Sequence, residues 1–170
     1  RVRLSKDHDR IDDATPPKRL VGPVIVGLTF IAMFAWTWFK WPDPLTDFGR
    51  ELYLAWQVSE GKTLYRDIEH FNGPLSVYFN ALLFHMFGAS IQALVFANIF
   101  IAAAILCFIY SIIRKAADDL TATACGVTFA TLFACMQFVD TGNYNFITPY
   151  SHEVTHGMLL ALAAMGSVVR

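Results

Sequence analysis

Residues 91–113 read IQALVFANIFIAAAILCFIYSII, a stretch without a single acid or base. A run of this kind meets the requirement of about 20 apolar residues for a helix crossing ~30 Å of hydrocarbon. Working outward, Arg114-Lys115-Ala116-Ala117-Asp118-Asp119 reads as a hydrophilic turn, and 120–139 as another span. Residues 140–153 form a second polar loop and 154–169 a last apolar segment. On the other side, Asn72-Gly73-Pro74 reads as a turn into a helix, with proline pre-set for the first helical turn. Residues 74–87 are apolar but short, and Gly88-Ala89-Ser90 breaks them from the span at 91. Further back, 20–38 carries no charge until Lys40, and Trp36, Trp38 and Trp41 cluster at its far end as an interfacial aromatic belt would.

The expected fold is therefore all-α: a polytopic transmembrane helix bundle with a short amphipathic helix in the first extracytoplasmic loop. Composition agrees. The chain is 55% hydrophobic and only 16% charged, against about 25% charged in soluble domains. Residues 1–19 are polar and read as a tail without the apolar core and small-residue cleavage site of a signal peptide. The basic residues of that tail place the N-terminus in the cytoplasm and send the first span outward. The chain opens on Arg1 rather than Met and closes just after an apolar run, which reads as a piece of a longer protein. A net charge of −1 says nothing about nucleic acid, and the lack of a basic, aromatic-interleaved patch points away from it. Cys107, Cys125 and Cys135 fall inside apolar runs and read as small core residues.

Helix parity leaves two arrangements open. If 74–87 crosses fully, Arg114 and Lys115 lie outside and loop 140–153 inside. If 74–87 is re-entrant or interfacial, the two basic residues turn inward and both polar loops share the outer face; the positive-inside tendency favours this second arrangement.

The first loop, 40–72, holds the densest polar chemistry. From Thr46 to Glu60 the spacing predicts a helix that Gly61 stops. Phe48, Leu52, Ala55 and Trp56 make its apolar stripe, and Asp47, Arg50 and Glu51 its polar one. A helix of this kind lies along a membrane surface. Asp47 is placed to act as general base towards a hydroxyl or to hold a divalent cation, and equally to cap the helix. Arg50 and Glu51 follow within one turn, on the same face. Arginine at this depth, here Arg66, suits a phosphate group through bidentate contact, and equally snorkels to lipid phosphate. Tyr65-Arg66-Asp67 and then Glu69-His70 continue the polar run; Glu69 and His70 carry a weak metal signal. His85, on an apolar segment, reads as a satisfied buried histidine.

The second loop contains Asn143, Asn145, Tyr150 and Ser151, and then His152-Glu153-Val154-Thr155-His156. That pentapeptide spells the zinc-protease helix H-E-x-x-H, for which no third ligand follows in the chain. An intramembrane zinc protease is one alternative reading, and a transporter or non-catalytic scaffold is another. Against transport, the spans hold no charged residue to mark a path.

The stretch from Asp47 to Gly88 resembles the first extracytoplasmic loop and following helix of bacterial C-type glycosyltransferases. That family includes the protein O-mannosyltransferases and the lipid A aminoarabinose transferases. Asp47, Gly61, Tyr65-Arg66-Asp67, Pro74-Leu75 and Phe87-Gly88 match its pattern in order and at similar spacing, and the likeness covers roughly residues 20–115. The resemblance implies a multi-pass enzyme of the bacterial inner membrane. It would move sugar from a polyprenyl-phosphate donor to an acceptor on the extracytoplasmic face. Asp47 would then be catalytic, with Glu51 standing in for a second carboxylate, since Phe48 follows Asp47 where many members have Asp-Glu. Arg50, Tyr65, Arg66, Asp67 and His70 form the expected substrate-binding set, and His152, Glu153 and His156 a secondary one. Asn72-Gly73-Pro74 replaces a Lys-Pro-Pro found in many members. No cofactor is called for, and a divalent metal is compatible with the resemblance.

Overall fold

The computed structural model describes residues 20–41, 47–139 and 144–168, and of Asp47 the backbone alone. The expected tail, 1–19, lies outside the described residues. Six helices carry the fold: α1 (Val21–Thr37), α2 (Asp47–Ser59), α3 (Leu75–Phe87), α4 (Ile91–Ala116), α5 (Asp119–Thr128) and α6 (His152–Val168). The described residues are thus all-α, with one isolated bridge between Leu64 and Ile68 in the first loop.

Of these helices α4 alone is both long and apolar enough to cross a membrane; α1, α3 and α5 with its continuation are shorter apolar helices. Ser90 starts α4 by accepting the Ala93 N–H at 3.2 Å, and Arg114 and Lys115 sit in its last turn, where cations suit the helix dipole. Leu94, Val95, Asn98, Ile101, Ala102, Ile105, Leu106 and Tyr110 are its buried residues. Their three-and-four spacing gives one continuous stripe. The expected span at 120–139 is not one regular helix: after α5 the chain widens into a π-helical segment, Phe129–Ala134, and ends in a 3-10 turn, Met136–Phe138. Gly126 of α5 meets α1 closely, since a Cβ there would stand 2.9 Å from both Val26 methyls. Small residues permit such approach where helices pack without water.

Contacts between helix ends fix the directions of the bundle. Gly22, at the start of α1, lies beside Tyr110 near the end of α4 and Thr123 near the start of α5. At the opposite end, Thr37 closes α1 against Gln137, whose Nε2 donates to Thr37 Oγ1 at 3.0 Å, and Trp38 meets Phe96 of α4. The helix α6 begins beside Asn98 and passes Phe108 at Gly166, so it runs parallel to α4. The first turns of α4 and α6, the last turn of α1 and the exit of the π segment therefore share one end.

The helix α3 stays at that end. Its first turn meets α6 through Ser76 and His156, while Phe84, near its last turn, packs with Leu94 of α4 and Ala55 of α2. At about 1.5 Å per residue its 13 residues reach only ~20 Å. Gly88 ends it with a φ of 84°, a left-handed conformation that glycine adopts freely. Both loops lie at this end, and Arg114 and Lys115 at the other.

Two local expectations need correction. His85 is exposed rather than buried, since its neighbour Phe84 is the residue that packs with Ala55 and Leu94. Among the cysteines only Cys135 is buried, while Cys107 is exposed and Cys125 half-buried; all three are free thiols.

Candidate functional site

The helix α2 sets the site. Phe48 and Ala55 of the expected apolar stripe face inward, nearly inaccessible, joined by Leu54 from outside it, while Leu52 is half-buried; Gly61 with a φ of 91° turns the chain away after Ser59. Trp56, expected in the apolar stripe, remains half-exposed. The polar stripe does not face water as a surface helix would present it. Glu51 is 2% exposed and points into the bundle. Its Oε1 accepts from Arg50 Nη2 at 3.1 Å. Its Oε2 lies 3.1 Å from His152 Nδ1 and accepts the His152 backbone N–H at 3.4 Å. A carboxylate at the first residue of a long helix also meets the positive end of its dipole. Burial pushes the Glu51 carboxyl up, yet the bonds from His152 and Arg50 outweigh it and hold the group below its ordinary value.

His152 is wholly buried. Beyond Glu51, its Nε2 lies 3.0 Å from Asn98 Nδ2 of α4, and the same amide donates to the Ile147 carbonyl at 3.0 Å. The second loop is shaped by Asn145, whose Oδ1 accepts the N–H groups of Ile147 and Thr148 at 2.9 and 2.6 Å. This local side-chain-to-backbone pattern satisfies the loop where no regular structure does. The loop thereby delivers His152 to α2 and Tyr150 to Arg50. The Arg50 guanidinium sits 5.6 Å from the Phe71 ring centroid and 5.5 Å from that of Tyr150, with its Nε buried and unpartnered. Aromatic faces hold such a cation without neutralising it.

A second pair lies deeper. His156 Nδ1 is 2.8 Å from Ser76 Oγ, joining α6 to α3, and Phe79 packs edge-on against the imidazole. The buried His70 imidazole has its Nε2 3.3 Å from Glu153 Oε1, and Glu153 Oε2 accepts from Ser151 Oγ at 2.6 Å.

Of the residues expected from sequence, Arg50, Glu51 and His152 meet directly. His70 and Glu153 meet each other one layer out. Tyr65, Arg66 and Asp67 form a turn of their own: Arg66 grips Asp67 through two bonds of 2.9 Å, and Asp67 accepts the Thr63 N–H at 2.8 Å. The Arg66 guanidinium and the Thr63 N–H hold the Asp67 carboxyl down at about 2. Tyr65 takes a φ of 68° and its hydroxyl donates to the Asn72 carbonyl. Glu69 is exposed. The side chain of Asp47, and with it the choice between base and cap, lies outside the described part, as does Asn143.

The H-E-x-x-H pentapeptide does not assemble a ligand set among the described residues. Both ring nitrogens of His152 are engaged, Glu153 turns to His70 and Ser151, and no group of three His, Cys, Asp or Glu side chains converges on one point. Sequence reasoning missed Asn98 and Ser76. The signal for Asn98 was there, since an amide inside an apolar span must find a partner.

No protein-family model matches the chain, and neither does any curated protein or solved structure.

Proposed function

We propose that the chain is part of an integral membrane glycosyltransferase that moves a sugar from a polyprenyl-phosphate donor to an acceptor on the extracytoplasmic face of a bacterial inner membrane. The observation that carries the reading is the Arg50–Glu51 face of α2, seated between the first-loop Phe71 and the second-loop Tyr150 and His152 at one end of the bundle. A membrane setting explains the outer surface. Leu28, Ile31, Phe100 and Leu132 are each more than half exposed on α1, α4 and the π segment, a load of exposed apolar groups that a soluble monomer rarely carries. The fold is then a polytopic bundle whose loop-bearing end faces outward, with α2 along the head-group layer.

In this reading the partly exposed Arg50 meets the donor phosphate, its Nε and free edge offering the fork that phosphate oxygens accept. Asp47 begins the same helix one turn before Glu51 and takes the acceptor proton. Glu51, held anionic, balances Arg50 when the donor is absent. Tyr65, Arg66, Asp67 and His70 border the entrance from the first loop. Positioning and charge complementarity at head-group depth are the main catalytic contributions.

The test uses the full-length protein in membranes with a radiolabelled polyprenyl-phosphate sugar pool. Wild type transfers label, Asp47→Asn inserts normally and transfers none, and Arg50→Ala weakens donor use. Equal transfer by wild type and Asp47→Asn removes Asp47 from the chemistry. No transfer by wild type overturns the enzyme reading in favour of a transporter or scaffold.

A further inference from the structure

The chain Ile147–Asn98–His152–Glu51 determines where its protons are. The Asn98 Nδ2 lies 3.0 Å from the Ile147 carbonyl oxygen. A carbonyl only accepts, so the amide nitrogen must face it, and the orientation of the Asn98 side chain is settled. The same nitrogen lies 3.0 Å from His152 Nε2, so its second hydrogen points at the ring. That hydrogen needs a lone pair, hence Nε2 is bare. The ring proton then sits on Nδ1 and donates to Glu51 Oε2 at 3.1 Å. An imidazolium would set an N–H against an N–H at the Asn98 contact, with no room to turn, since Asn98 is 1% and His152 0% exposed.

We infer that Asn98 is a positioning residue that locks His152 as the neutral, Nδ1-protonated tautomer, and that His152 in turn orients Glu51 for the polar face of α2. The ordinary expectation is the reverse, because a histidine beside a carboxylate usually gains a proton. The groups facing His152 are Glu51 on α2, itself paired with Arg50, and His156 one turn along α6, 5.9 Å between ring centroids. From α4 comes the uncharged Asn98. Arg50 already supplies the positive charge that Glu51 requires, and a second cation beside it would leave the site net positive. With His152 neutral, Arg50 and Glu51 balance, and α2 is fixed by a hydrogen bond whose direction is set 49 residues away from Asn98, at Ile147.

The role of Glu51 in transfer rests on the functional reading above, but the tautomer does not, and the experiment separates them. The full chain, labelled with 15N-histidine and held in lipid nanodiscs, is read by long-range 1H–15N correlation. His152 is assigned by the signal lost in His152→Gln. The expected wild-type pattern at neutral pH is one protonated Nδ1 and one bare Nε2. Asn98→Asp replaces the donor with an acceptor and converts His152 to the doubly protonated form at neutral pH, whereas Asn98→Gln retains the neutral ring. A wild-type imidazolium at neutral pH, or a proton on Nε2, overturns the inference. Asn98→Asp that folds and leaves the ring neutral overturns it as well. A confirmed tautomer in a chain that transfers no sugar leaves the proton assignment standing and removes the enzyme reading alone.

Discussion

Replacing Glu51 exposes how much of the loop end depends on one carboxylate. In Glu51→Ala the Nδ1 proton of His152 loses its acceptor inside a site with no access to water. A buried donor left unpaired costs about 1–3 kcal/mol. Arg50 loses its ion pair with Glu51 too, but its side chain is 32% exposed and rehydrates, so that share stays below about 1 kcal/mol. The expected loss is therefore about 1–4 kcal/mol. Glu51→Gln keeps an oxygen for His152 and loses the charge, and the expectation is about half as large. The pH dependence has a definite sign. The folded-state value of Glu51 lies below its ordinary 4.5. Its contribution is complete above that ordinary value and is lost as pH falls through the folded one. Wild type and Glu51→Gln should therefore differ most at neutral pH and converge in acid. Unfolding in mixed micelles, followed through the fluorescence of Trp56 on the same helix, measures both effects. Equal stability of wild type and Glu51→Ala, or a gap that does not narrow in acid, refutes the buried pair as the anchor of α2.

Two further outcomes follow from the packing and the direction of the helices. Gly126→Ala forces a Cβ to within 2.9 Å of both Val26 methyls. It should destabilise the α1–α5 contact by about 1–3 kcal/mol, and Val26→Ala in the same chain should restore most of the loss in the same unfolding assay. For topology, cysteines placed at Lys62 and at Tyr144, with Cys107, Cys125 and Cys135 replaced by alanine, should react with an impermeant maleimide from one side of sealed vesicles. A cysteine at Lys115 should react only after permeabilisation, and labelling of all three from one side excludes the arrangement.

The helices α2, α3 and α4 were readable from sequence because each is written locally. The uncharged run at 91–113, the proline that opens α3 and the glycines at 61 and 88 state their own boundaries. What was not readable is which partner a stripe faces. The periodicity of α2 grouped Arg50 with Glu51 but carried no sign that the stripe would turn into the bundle, because a helical wheel has no knowledge of the neighbouring chain. The H-E-x-x-H pattern misleads for the same reason. Spacing places His152 and His156 on one helical face, yet α4 presents Asn98 to the first and α3 presents Ser76 to the second, so each ring is satisfied by a different helix. The second loop has no periodicity to read, and its shape rests on the Asn145 side chain and on a bond from Asn98, far earlier in the chain. The site is therefore a product of tertiary contact between two loops that sequence shows as merely polar. Their common end follows from a fact a hydropathy scan misses: α3 is apolar enough to pass for a span but is held at both its first and its last turn by the same end of the bundle.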